Sequence, residues 1–169
     1  MEEIWNLLVI VYWGMVGITI VLILIQLIIP QHIYEIDDVC IDKYEVYRCI
    51  VEFVENDLGI KIKKPSILFD YTKNNDLRGI YQPSNHSISI FLQSTDSVYS
   101  FTVTLIEELH HSVYVSKSVK GSYSVYQLYD RLVGYDNNPL EYSAKVYASS
   151  NFNSIHRILK KRRLIRYKV

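Results

Sequence analysis

The side chains with chemical reach cluster in one eight-residue stretch, Thr104-Leu105-Ile106-Glu107-Glu108-Leu109-His110-His111. On a helix, Glu107 and His111 stand one turn apart on a shared face. Two ligands at that spacing can grip one small cation. Glu108 lies next to the same face, where a carboxylate can take a proton from a metal-activated water. A third protein ligand must come from elsewhere, leaving one coordination position open. Glu141 is the candidate, because Ala144 and Ala148 share its helical face at i+3 and i+7. Small residues there let one helix pack closely on another. His110 points about 100° away from His111 around a helix, so it reads as a supporting or exposed residue and not as a ligand. Glu107 and His110 also spell Glu-x-x-His, half of a di-iron site, but no second copy of that motif occurs. His32, His86 and His156 lack metal-type neighbours at helical spacing, and His86 reads as a solvent-exposed turn residue. Tyr114, Tyr135 and Tyr142 are near enough in sequence to supply an oxyanion donor.

These residues need elements to position them. Tyr44, Tyr47, Cys49, Ile50, Val51, Val54 and Leu58 recur at helical spacing, and Gly59 is a stop, which predicts a helix over 42–58. Ser66–Tyr71, Gly79–Tyr81 and Ser87–Phe91 read as three short strands separated by turn residues. Thr95, Asp96 or Ser97 can cap a helix over 98–115 that carries the eight-residue stretch. The Ser/Tyr-rich segment that follows has no clear period. Asn138 and Pro139 then open a helix reaching about Ser149. The fold class expected is α+β, a small sheet of about three strands with the site helix and C-terminal helices.

In order and spacing these pieces resemble the zincin metallopeptidases of the gluzincin type. The resemblance rests on Arg78-Gly79-Ile80-Tyr81, then Ile88-Ser89-Ile90, then the 104–111 helix, then Pro139-Leu140-Glu141-Tyr142-Ser143-Ala144. It implies zinc held by Glu107, His111 and Glu141, with Glu108 as general base. It also implies a peptide substrate laid along the strand Ser87, Ile88, Ser89, Ile90, Phe91, taken as the sheet edge. The departure is Glu107, where the H-E-x-x-H motif has its first His. A Glu/His/Glu set is harder and more anionic, and it favours oxygen-loving cations over zinc more than His/His/Glu does. Three readings follow: a working peptidase, a catalytically inactive zincin-like domain in a structural or interaction role, and an ordinary polar helix face.

The rest of the chain concerns location. Residues 4–29 run 26 positions without a charge, long enough to cross a hydrocarbon core of roughly 30 Å. Trp5, Tyr12 and Trp13 suit an interface, and Pro30 ends the run. The start is acidic and no cleavage site follows, so the segment reads as an uncleaved single-pass anchor. Lys43 and Arg48 follow the span and no basic residue precedes it, which favours a cytoplasmic soluble domain. Cys40 and Cys49 are the only cysteines and read as free buried thiols, not a secreted disulfide framework.

Of 169 residues, 18 are acidic and 18 basic, yet every acidic one lies at or before Glu141 and seven basic ones lie at or after Arg157. Residues 1–156 carry −7, which excludes a general nucleic-acid binder, and 21% charged with 13% aromatic residues excludes a disordered chain. Arg157, Lys160, Lys161, Arg162 and Arg163 alternate with apolar Ile155, Ile158 and Leu159, a pattern expected to rest on anionic lipid head groups. A solvated tail neutralising the −7 body is the second reading, and nucleic acid the third. The expected organisation is anchor 1–30, linker 31–42, zincin-like domain 43–151 and basic tail 152–169. A small anchored format of this kind also suits a viral or phage membrane protein.

Overall fold

The computed structural model describes Trp13, Val16 and residues 39–74, 76–117 and 122–167. The anchor expected over 1–30 lies outside the described residues apart from Trp13 and Val16. Among the described residues no helix is long and apolar enough to cross a membrane. The chain divides into Met1–His32 and Ile33–Val169, and every element below belongs to the second unit.

That unit is an α+β domain: a three-stranded mixed sheet with four helices, plus a two-stranded ribbon. Strand β1 (Val39–Ile41) leads into α1 (Lys43–Leu58). Asp42 caps α1 by accepting the Glu45 N–H, and Gly59 closes it in the left-handed region at φ 62°. Strands β2 (Ser66–Asp70), β3 (Gly79–Gln82) and β4 (Ser87–Phe91) follow. Then come α2 (Val98–Lys117), α3 (Ser122–Val133), α4 (Pro139–Lys161) and β5 (Ile165–Tyr167). Ser97 caps α2 through the Ser100 N–H at 3.0 Å, and Asn138 caps α4 through the Leu140 N–H at 3.0 Å with Pro139 in the first turn. Helix α3 fills the Ser/Tyr-rich segment whose period the sequence leaves unreadable.

The sheet order is β2-β4-β3, with β2 parallel and β3 antiparallel to β4. This corrects the expectation that Ser87–Phe91 is the edge. Its backbone groups are paired on both sides, and Ile88 and Ile90 are fully buried, as suits a central strand. On this side of the sheet the outer strand is β3. Phe91 N–H donates to Arg78 C=O, so the Gly79 and Tyr81 positions fall at the wide spacing of the ladder, with backbone groups pointing away from β4.

The C-terminal boundary also differs from expectation. Helix α4 runs unbroken through 151, and its buried side chains are Glu141, Ala144, Ala148, Ile155 and Leu159. That spacing is one continuous stripe. Ile155 and Leu159 therefore belong to the hydrophobic core with Ile50, Leu105 and Leu109, not to a separate lipid-facing tail. Strand β5 pairs antiparallel with β1, which lies inside the expected linker. Arg162 bonds Glu52 on α1 at 2.8 Å, whereas Arg157, Lys160, Lys161 and Arg163 are exposed. Cys49 is free and buried, as expected.

Two of the histidines are more embedded than their sequence context implies. His86 has φ 51°, accepts the Tyr81 hydroxyl at Nδ1 (2.7 Å) and donates from Nε2 to the Lys63 carbonyl (2.7 Å). His110 is only 3% exposed and packs against the rings of Tyr114 and Tyr147, with centroids at 4.4 and 4.8 Å.

Two tests follow. Leu159→Ala should cost about 2–5 kcal/mol in urea unfolding, and Arg157→Ala less than about 0.5 kcal/mol. Equal small effects would return the tail to a detached role. Burial, helped by the neighbouring His111, lowers the His110 pKa from 6.5 to about 4. The unfolded chain then binds more protons than the folded one between those values. The linked stability, about 3 kcal/mol, is complete above pH 6.5 and lost as pH falls toward 4. His110→Phe should flatten the fall in unfolding free energy between pH 7 and 5; an unchanged slope would rule out His110 as its source.

Candidate metal centre

The site forms where α2 and α4 pack along their lengths with β3 beside them. Ala144 and Ala148 are fully buried on the α4 side. Their small side chains bring the helices close enough for the Glu141 carboxylate to meet the one-turn pair on α2. Ligand atoms of Glu107, His111 and Glu141 all lie within 4.8 Å of one another. His111 Nε2 stands 3.5 Å from Glu141 Oε1. Glu107 and His111 share a face because α2 is regular through that turn. The three ligand positions expected from sequence are therefore together, and the group could hold a metal ion.

The chemistry of the donors fits a cation. Glu141 is 3% exposed, and its Oε2 is buried without a hydrogen-bond partner. A buried carboxylate oxygen left in this way is costly unless a positive charge completes it. Zinc–ligand bonds of about 2.0–2.2 Å need tetrahedral donors about 3.5 Å apart, so side-chain rotations of about an ångström would close the set. His111 Nε2 already faces Glu141, so the imidazole must lose its proton to bind.

Electrostatics show three carboxylates around one imidazole. Burial pulls the His111 pKa down, but the Glu141 contact and the charges of Glu108 and Glu107 outweigh it and hold it above the usual histidine range. Burial pushes Glu107 up. Burial pushes Glu108 up to about 7, despite the opposing pull of His111 and the Tyr81 backbone N–H that donates to its carboxylate. Burial would raise Glu141 as well, but the His111 contact and charge and the Tyr126 hydroxyl hold it below the carboxylate range. A proton on His111 is thus the local stand-in for a cation.

Glu108 is set by β3 as much as by α2. A Cβ on Gly79 would lie 2.6 Å from Thr104 Cγ2 and 3.0 Å from Glu108 Cγ, so only glycine lets the strand approach α2 here. That approach puts the Tyr81 N–H on the Glu108 carboxylate. The cleft alongside measures about 690 Å³. Gly79, Ile80, Tyr81, Glu108, His111, Tyr123, Tyr126, Tyr135 and Glu141 line it.

The chain matches no protein-family model, no curated protein and no solved structure.

Sequence reasoning missed Tyr126, whose hydroxyl donates to Glu141 Oε1 at 2.6 Å. Its signal was the Tyr123/Tyr126 spacing of three, legible only once the segment is known to be helical. Of the three tyrosines named from sequence, Tyr135 lines the cleft beside Glu141. Tyr114 stacks on His110 and Tyr142 is exposed, so neither joins the site. The strand positions Ser87–Phe91 lie behind β3 and not at the cleft.

With one Glu141 oxygen held by Tyr126, the other lacks a hydrogen-bond partner and is left for a cation the site could hold. Tyr126→Phe should weaken zinc binding by about 10–100-fold, read by calorimetric titration with the fold intact. An unchanged affinity would show that Tyr126 does not orient this ligand.

Proposed function

We propose that this chain is a membrane-anchored zinc-metallopeptidase-like protein of the zincin type that hydrolyses peptide bonds. The observation that carries the reading is the convergence of Glu107, His111 and Glu141 beside Glu108, next to an edge of β3 that no described strand pairs with, in an open cleft. Glu107, His111 and Glu141 would hold a divalent cation of the zinc class, which when bound would supply Lewis acidity to a water and to the substrate carbonyl.

The protein's own groups do the remaining work. Glu108 takes the proton of the attacking water and returns it to the leaving amine. A carboxyl pushed up to about 7 is matched to proton transfer near neutral pH. Its bond to Tyr81 holds it in line with the cleft. An extended peptide adds to the outer edge of β3, where the Gly79 backbone groups and the Tyr81 carbonyl point away from β4. The edge role expected for Ser87–Phe91 thus passes to the neighbouring strand. The exposed cations of α4 are available to anionic lipid.

One observation favours a second reading, a catalytically inactive zincin-like domain in a structural or interaction role. Glu107 stands where an imidazole would leave the site less anionic, and added negative charge makes a coordinated water less acidic. Elemental analysis and peptide cleavage separate the two. An active enzyme should carry about one zinc per chain, and Glu108→Gln should keep the metal and lose cleavage by about 100–10,000-fold. Metal without cleavage in the wild type supports the inactive reading. Equal cleavage by wild type and Glu108→Gln would falsify the role of Glu108.

A further inference from the structure

Helix α3 is turned the opposite way from a normal surface helix. Tyr123 and Tyr126 share the face that lines the cleft. Val125, Leu128 and Leu132 fall on the opposite arc, with Tyr129 at its edge, and all are exposed, Leu128 to 54% and Leu132 to 69%. An amphipathic helix that sends its apolar arc outward has a partner to meet.

We propose that this outer face of α3 seats the domain on a lipid bilayer, with the mouth of the cleft at the membrane–water interface. The inference rests on reading residues 4–29 as an anchor. Three observations select lipid as the occupant. First, only residues 30–38 separate the end of the uncharged run from β1, a tether of at most about 32 Å even if fully extended. A bilayer holding the run is always within reach of the domain. Second, aliphatic side chains flanked by tyrosines suit the interfacial layer, where rings lie among head groups and Leu and Val go deeper. Third, charge is complementary. The outer stripe of α4 passes from Tyr142 and Val146 through Ser149 and Asn153 to Arg157 and Lys160, all exposed. Tyr135, exposed and lining the cleft, carries the Lys145 ammonium 4.9 Å from its ring centre. Anionic head groups can meet these cations. A second copy could not do so with the same stripe, which contains no carboxylate. Because Tyr123 and Tyr135 belong to both the cleft and the exposed surface, a peptide entering the cleft would come from the interface.

The test uses the full chain with Cys40→Ser and Cys49→Ala, reconstituted in vesicles of phosphatidylcholine and phosphatidylglycerol. A polarity-sensitive fluorophore is placed at Leu128→Cys, Leu132→Cys or, as a control on the exposed Lys61, Lys61→Cys. Doxyl-labelled lipid should quench the first two at least about twofold more than the control, with a blue shift in emission. A chain that floats with vesicles but shows no quenching at 128 and 132 overturns the surface assignment and leaves the anchor standing. A chain that stays in the soluble fraction overturns both. Spin labels at Leu128→Cys that couple between copies, without lipid quenching, would put a second copy on the face and also overturn the proposal.

Discussion

The structure depends on the close packing of α2 against α4. Every ligand in the site is delivered by that contact. Glu107 and His111 come from one turn of α2, and Glu141 comes from the first turn of α4. Ala144 and Ala148 keep the two axes near, while Ile155 and Leu159 extend the same stripe into the core. The apolar length of α4 therefore fixes the position of a carboxylate at its other end. Burial of that carboxylate with one unpartnered oxygen then makes a positive charge the natural completion of the site.

A second constraint comes from β3. Gly79 permits an approach that a methyl group would block, and the Tyr81 amide then holds Glu108. The strand that positions Glu108 is also the one whose Gly79 backbone groups and Tyr81 carbonyl point away from β4 toward the cleft. In the proposed hydrolase, substrate register and the position of Glu108 are therefore coupled through β3. Tyrosines complete the enclosure: Tyr126 and Tyr135 come from α3 and from the turn after it, both line the cleft, and Tyr126 bonds Glu141. The first turn of α4 is thereby tied to the far wall of the cleft. The same helix that contributes Tyr126 turns Leu128 and Leu132 outward, so the site and the proposed lipid face are two sides of one element.

Much of this was legible in the chain because it is local. Helix α1 with its Asp42 cap and Gly59 stop, the Asn138-Pro139 opening of α4, and the three strands follow from turn chemistry and hydrophobic period. Pairing of Glu107 with His111 follows from the pitch of a helix alone. Ala144 and Ala148 pointed to the partner that brings Glu141, because small residues at helical spacing mark a close contact.

What tertiary structure decided is non-local. Strand order is not written in a strand's own pattern: Ser87–Phe91 alternates as an edge strand can, but β2 and β3 both pair with it and become the two outer strands, with β3 on the cleft side. His110 looks like one more polar residue beside His111, yet its side of α2 faces Tyr114 and Tyr147. The basic tail reads as a free amphipathic segment until its apolar residues are seen in the core, where they had a nearer partner than lipid. Tyr126 was invisible because a Ser/Tyr-rich stretch has no clear period, and only packing gave it one. The sequence by itself determined the elements and the ligand types, since these depend on neighbours a few residues apart. Which surfaces those elements present to each other depends on contacts across the chain, and only the folded structure decides them.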